Sequence, residues 1–166
     1  MGTGSGILAT CAARHVPQSR VWATDISPRA LAVAGENCQR HGVAERVELC
    51  EGDLLTPVPE DVRFDFVVSN PPYVSEPEYA RLPRDVRDYE PRQALVAGPT
   101  GVEVIERLVP QAAQRLQPGG WLLLEISPMI ERAVHQVIAR DGRYEAAHTS
   151  PDLAGHPRVI QAVIRS

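Results

Sequence analysis

Residues 64–75 read FDFVVSNPPYVS, an apolar run that stops at Asn70 and turns into two prolines and a tyrosine. The near-continuous apolar character predicts a parallel strand covered on both faces. Pro71 and Pro72 fix φ and restrict the residues before them, so the chain leaves the strand through a rigid bend. That bend holds the Asn70 side chain and a neighbouring backbone carbonyl in place. Together these two oxygens can accept both hydrogens of a planar –NH2 group. Tyr73 offers a flat face for a conjugated amide or a base. A nitrogen of that kind is a poor nucleophile, because its lone pair is delocalised. A site that uses it must orient it towards an electrophilic carbon and stabilise the charge that develops. No histidine base is required.

Upstream of this stretch the pattern alternates between helices and short apolar runs. GILATCAARH predicts a helix packed tightly on a sheet, and RVWAT a strand ending at Asp25. SPRALAVAGENCQRHG predicts a helix with Ser27 as N-cap, Pro28 in the first turn and a stop at Gly42. Its buried stripe is Ala30, Leu31, Val33, Ala34 and Cys38. RVELCEGD predicts a strand leading to Asp53. Downstream, residues 71–100 form a long connection rich in proline and charge, a length that in a compact domain marks function or disorder. A helix over about 102–116, the turn QPGG, the strand WLLLEIS, a helix from near Pro128 to about Asp141, and the strands YEAAHTS and RVIQAVI complete the chain. Helices between parallel-type strands define an α/β sheet. No repeat or domain boundary is evident.

In open α/β sheets, ligands bind beyond the C-terminal ends of the strands. Asp25, Asp53 and Asn70 sit at three successive predicted strand ends. The opening MGTGSG supplies Gly2, Gly4 and Gly6, which let backbone approach a ligand, followed by a helix with free N–H groups. Gly4, Gly6 and Ala9 satisfy the dinucleotide fingerprint, with Asp25 at the distance expected of a ribose-binding acid. This pattern alone does not separate a nicotinamide cofactor from S-adenosylmethionine.

The chain has 166 residues and a formal net charge of -4, which counts against a generic nucleic-acid surface. The arginine-containing cluster RLPRDVRDYEPR is mixed in sign. Cys11, Cys38 and Cys50 lack CxxC spacing, and the five histidines share no ligand spacing, so no metal site or disulfide framework is expected. A reducing, cytoplasmic setting follows from the cysteine usage, and no membrane span or signal pattern is expected.

GTGSG, ATDIS, EGDLL and SNPPY, in this order, resemble class I S-adenosylmethionine-dependent methyltransferases acting on exocyclic or amide nitrogens. RDYEPRQAL, the helix after Gly101, PGGWLLLEIS and DLAGHPRVI resemble, more closely, the HemK/PrmC family. Its members are protein-(glutamine-N5) methyltransferases that modify the GGQ glutamine of peptide-chain release factors. The resemblance implies a Rossmann-like α/β fold with a mostly parallel sheet and helices on both faces, in one catalytic domain over 1–166. It implies S-adenosylmethionine as cofactor, held by Gly2, Thr3, Gly4, Gly6, Asp25, Ile26, Asp53, Leu54 and Asn70. Asn70, Pro71, Pro72 and Tyr73 would form the catalytic bend. Asn70, the Pro71 carbonyl, Tyr73, Glu90 and Arg92 would meet the substrate, with Arg92 equally placed to be a surface ion-pair partner. Peptide-chain release factor is the implied partner.

Three departures stand out. The family's acidic residue and first strand before the glycine loop, and its helical N-terminal domain, are missing here. The pattern Glu-Ile-Gly-x-x-Gln reads Glu125, Ile126, Ser127, with Ile130 in the place of Gln. The missing strand predicts weakened cofactor binding, or self-association or a partner chain completing the sheet. The rival readings are N6-adenine methylation of RNA or DNA, a catalytically weak or inactive remnant, and a nicotinamide oxidoreductase. The last leaves Asn-Pro-Pro-Tyr unexplained.

Overall fold

In chain order the elements are α1 (Ile7–His15), β1 (Val21–Asp25), α2 (Pro28–Arg40), β2 (Val47–Glu51), β3 (Phe64–Ser69), β4 (Val74–Ser75), α3 (Glu76–Tyr79), α4 (Arg84–Tyr89), α5 (Arg92–Leu95), β5 (Val96–Gly98), α6 (Glu103–Arg115), β6 (Leu116–Glu125), α7 (Glu131–Asp141), β7 (His148–Pro151) and β8 (Pro157–Val163). They come from a computed structural model that describes residues 1–165. The chain divides into two units, Met1–Val62 and the remainder from Arg63 onward.

In the first unit β1 and β2 pair in parallel, with Val21 opposite Val47 and Asp25 opposite Glu51. Ala9 and Ala13 of α1 and Cys38 of α2 are buried with Ala23, Val43 and Val47, and Val21 and Leu49 pack against them. The small residues expected of a helix lying close on a sheet are thus the ones in contact. Ser27 caps α2 as expected, its hydroxyl accepting from the Ala30 N–H at 3.3 Å, with Pro28 at the helix start. The expected stripe on α2 needs one correction. Val33 is exposed, while Ala34 and Cys38 carry the burial.

The second unit is built on a four-stranded sheet in the order β3-β6-β8-β7. β3 and β6 are parallel; β8 runs antiparallel to both β6 and β7. Its core gathers Ile105, Leu108, Val109 and Ala112 of α6, Leu122 and Leu124 of β6, Val134 and Ile138 of α7, and Ile160 and Ala162 of β8, all almost fully buried. Each large aliphatic side chain removed from water contributes roughly 1.5–3 kcal/mol, which makes this cluster the main anchor of the sheet.

Two expectations change here. β3 is not covered on both faces: Phe66 is 59% exposed and Val68 38%, whereas Val67 and Ser69 are buried. Trp121, opposite Phe66 in the ladder, is 36% exposed. Side chains alternate between faces along a strand, so an all-apolar run does not reveal which face is covered. The long connection over 71–100 is also not structureless. It contains β4, paired in parallel with β5, and the short helices α3, α4 and α5. No helix among the described residues is long and apolar enough to cross a membrane, and none of their His, Cys, Asp and Glu side chains cluster as a metal site.

Candidate active site

The first unit presents a glycine turn locked onto the end of β1. The Thr3 N–H donates to the Thr24 carbonyl at 3.0 Å, and the Gly6 N–H closes the turn on the Thr3 carbonyl at 2.8 Å. Asp25 lies at the centre of this arrangement. Its Oδ2 accepts from the Gly4 N–H and its Oδ1 from the Ser27 N–H, both at 2.9 Å, while its carbonyl accepts from Gly52 N–H at 2.9 Å. A carboxylate offers about four lone-pair directions, so both oxygens retain capacity for the vicinal hydroxyls of a ribose.

The glycines differ in what they do. A Cβ on Gly6 would lie 2.8 Å from the Ala34 Cβ, so Gly6 lets α1 start against α2. Gly4 has a positive φ of 53° and open space where its side chain would stand, with nothing within 4 Å. An adenosyl cofactor needs such an open backbone surface beside an acidic acceptor, and these residues fit it. Gly6 caps α1 without a side-chain hydrogen bond, leaving the polar start of the helix for a ligand. Beside Asp25, Ile26 is 53% exposed and offers an apolar surface.

At the end of β2 the chain turns sharply. Thr56 donates both its N–H and its hydroxyl to the Asp53 carbonyl, at 3.1 and 2.6 Å. Leu54 takes a positive φ of 53°, unusual for a residue other than glycine, and its side chain is buried. A non-glycine residue held in this region marks a turn whose shape is imposed by its surroundings.

The second unit carries the Asn-Pro-Pro-Tyr bend. Asn70 is exposed just past β3, and Pro71 is fully buried beneath it. Asn70, Pro71, Pro72, Tyr73, Glu90 and Leu95 line a small concavity of about 120 Å³. The bend is supported from below. Ser75 donates its N–H and hydroxyl to Glu78 Oε2 at 3.0 and 2.6 Å. A Cβ on Gly101 would stand 2.7 Å from the Tyr73 carbonyl, and Glu103 holds that turn by accepting from the Thr100 and Gly101 N–H groups at 2.7 and 2.9 Å.

Burial pushes the Tyr73 hydroxyl pKa up, and the carboxylates of Glu125 and Glu90 push the same way against the charge of Arg158. The phenol therefore stays protonated at neutral pH.

Arg92 is not on this concavity. It pairs with Glu76 at 3.4 Å and lies 5.4 Å from the centroid of the Tyr79 ring. The charges of Glu125 and Arg158, which were not among the expected residues, act on the Tyr73 hydroxyl. Glu125 had a usable signal: it ends the apolar strand WLLLE just as Asn70 ends FDFVVS. A larger open concavity of about 410 Å³ lies elsewhere in this unit, beside Arg132, His135, Ala139 and Glu145. His135 is held there by Thr149 at 2.8 Å, with no bend comparable to Asn-Pro-Pro-Tyr.

A family profile described as "Methyltransferase small domain" matches residues 1–82. The fold is similar to the ribosomal protein L11 methylase of Lactobacillus delbrueckii subsp. bulgaricus, with a TM-score of 0.70 at 23% identity, covering 99% of this chain and 67% of that one. It is similar also to the 16S rRNA N2 G1207 methyltransferase of T. thermophilus in complex with AdoMet and guanosine, with a TM-score of 0.71 at 21% identity, covering 99% of this chain and 36% of that one. The fold is that of the class I S-adenosylmethionine-dependent methyltransferases.

Sequence relatives narrow the class. The release factor glutamine methyltransferase of Rhodopirellula baltica is 43% identical over 160 residues, 96% of this chain and 54% of that protein. That of Moorella thermoacetica is 44% identical over 164 residues, 99% of this chain and 57% of that protein. The chain belongs to the release factor glutamine methyltransferase family, and it spans a little over half the length of these curated relatives.

Proposed function

We propose that this chain transfers a methyl group from S-adenosylmethionine to the side-chain amide nitrogen, N5, of a protein glutamine. The GGQ glutamine of a peptide-chain release factor is the proposed acceptor, and 1–166 is read as one catalytic domain. The observation that carries the reading is the small concavity framed by Asn70, Pro71 and Tyr73.

S-adenosylmethionine supplies an electrophilic methyl on a sulfonium, whose sulfur takes the electron pair of the breaking carbon–sulfur bond. The Gly2–Gly6 turn, Asp25 and Ile26 of the first unit are the residues that would hold it. In the second unit, the Asn70 side-chain oxygen and the Pro71 carbonyl accept the two amide hydrogens. They fix the nitrogen's plane and favour the partial positive charge it gains as the new carbon–nitrogen bond forms. Tyr73 packs on the face of the amide, and the surplus amide proton passes to solvent. Twofold acceptance selects –NH2 over hydroxyl, because a hydroxyl has one hydrogen to give.

Radiolabelled methyl transfer to a panel of release factor, RNA and DNA tests the proposal. Label should enter the release factor and disappear when its GGQ glutamine is replaced. Label entering nucleic acid alone rejects it.

A further inference from the structure

We propose that Tyr89, Met129 and Leu153 form an apolar rim around the Asn-Pro-Pro-Tyr bend, on which the protein carrying the acceptor glutamine docks. This docking role rests on the reading of the bend given above.

Exposure singles these residues out. Among the described residues they are the three most exposed large apolar side chains: Leu153 stands fully in solvent, Tyr89 is 86% exposed and Met129 76%. Scattered apolar side chains on a surface need no explanation, but several gathered about one site mark an interaction surface. Tyrosine and methionine are also enriched where proteins meet.

Each of the three is tied to the bend. Tyr89 precedes Glu90, which lines the same concavity as Asn70 and Tyr73. Met129 precedes Ile130, whose buried side chain lies across Gly101 from the bend. A Cβ on Gly101 would stand 2.7 Å from the Tyr73 carbonyl and 3.5 Å from Ile130 Cγ2. Leu153 is placed by strand register. Ser69 of β3 pairs with Leu124 of β6, and Glu125 of β6 with Val159 of β8, so Asn70 and the start of β8 stand at one end of the sheet. β8 is two places from β3 in that sheet, about 10 Å at ordinary strand spacing.

Two of these side chains sit on turns with fixed backbones. Ser127 closes the Met129 turn, its Oγ accepting from the Met129 N–H at 3.3 Å and its carbonyl from the Ile130 N–H at 3.2 Å. In the β7–β8 hairpin, Asp152 Oδ1 accepts from the Ala154 and His156 N–H groups, both at 3.0 Å. Arg158 donates Nε and Nη2 to Asp152 Oδ2 at 3.3 and 3.0 Å. Leu153 is thus presented on a braced tip, and a partner that covers it has little backbone left to order.

Tether and charge together select the occupant. A glutamine amide seated against Asn70 brings its own main chain over the bend, and extended chain advances about 3.3 Å per residue. About three flanking residues therefore reach the hairpin tip. Arginines of this region are paired within the chain: Arg158 with Asp152, Arg92 with Glu76 and Arg87 with Asp88. An apolar rim beside paired charges suits a protein and not a nucleic acid, whose phosphates are held by cations free to replace counterions.

Binding of a peptide-chain release factor to this chain is measured by calorimetric titration, with Tyr89→Ser, Met129→Ser and Leu153→Ser compared one at a time. All three side chains are exposed, so the urea midpoints should not move. Each variant should bind release factor about 5- to 10-fold more weakly, the scale of one side chain buried at an interface centre. In methyl transfer, KM for release factor should rise by the same factor, with kcat and the affinity for S-adenosylmethionine unchanged.

Unchanged release-factor affinity in two or more variants overturns the proposal, as does an unaltered chain that binds RNA or DNA and no release factor. If the three substitutions weaken release-factor binding but its GGQ glutamine is never labelled, the functional reading fails and the docking surface stands. If all three variants label that glutamine as well as the unaltered chain at limiting release factor, the docking surface fails and the functional reading stands.

Discussion

Gly4 donates its main-chain N–H to Asp25 Oδ2 at 2.9 Å, so the carboxylate at the end of β1 shapes the glycine turn. The other oxygen takes the Ser27 N–H. Asparagine in this position has a single acceptor oxygen and would turn an –NH2 group towards one of these two donors. Asp25→Asn should weaken S-adenosylmethionine binding about 10- to 100-fold, the scale of one or two lost charge-assisted bonds, as measured by calorimetric titration. Unchanged affinity would show that Asp25 serves the turn and not the ligand.

Asn70 is exposed and lies outside the packed core, so its removal should leave the fold standing. Asn70→Ala should lower methyl transfer at least about 100-fold, as loss of one aligned polar group in an active site does elsewhere. Cofactor affinity should be retained. A variant that fails mainly in cofactor binding would mean that the side chain meets S-adenosylmethionine rather than the acceptor.

Gly101 has a φ of 88°, and a side chain there would meet the Tyr73 carbonyl. Gly101→Ala should therefore cost about 1–2 kcal/mol in urea unfolding, from the left-handed backbone alone. It should also lower transfer by displacing the bend. Activity that survives while stability falls would separate the support of the loop from the geometry of the site.

Tyr144 donates its hydroxyl to the Val109 carbonyl at 2.8 Å, and both residues are buried. Burial pushes the phenol pKa well up, so it remains a donor throughout the neutral range. Tyr144→Phe should lower stability by about 1–2 kcal/mol, seen as a shift in the urea midpoint with the slope unchanged.

Hydrogen bonds from His156 and Arg158 hold the Asp152 carboxyl below its ordinary pKa. A pKa depressed by folding gives stability that is present above the unfolded value, near 3.9, and is lost as pH falls through the folded value. Thermal midpoints measured below about pH 4 should fall less steeply in Asp152→Asn than in the unaltered chain. Parallel acid limbs would show that the hairpin bonds do not discriminate between the two protonation states.

Much of this protein follows from short-range rules that can be read along the chain. Ser27 and Pro28 start a helix because a hydroxyl and a ring suit those two positions, and the structure uses both there. The glycine turn, Asp25 at one strand end and Asn70 at another need only the habit of α/β sheets to place ligands beyond their strands. The Asn-Pro-Pro-Tyr bend is local too, since proline stiffens its own neighbourhood whatever lies around it.

Other features depend on which segments meet. Phe66 and Val68 belong to an apolar run, yet they face solvent, because exposure depends on the layers placed over a strand and not on its composition. Arg92, close in sequence to the expected pocket, pairs instead with Glu76 and Tyr79. The antiparallel return of β8 sets Arg158 beside Ile126, 32 residues earlier in the chain. Residue types and spacing thus determined the fold class, the glycine turn and the Asn-Pro-Pro-Tyr bend. The tertiary structure decided which charges surround Tyr73, because strand register joins residues that no local preference connects.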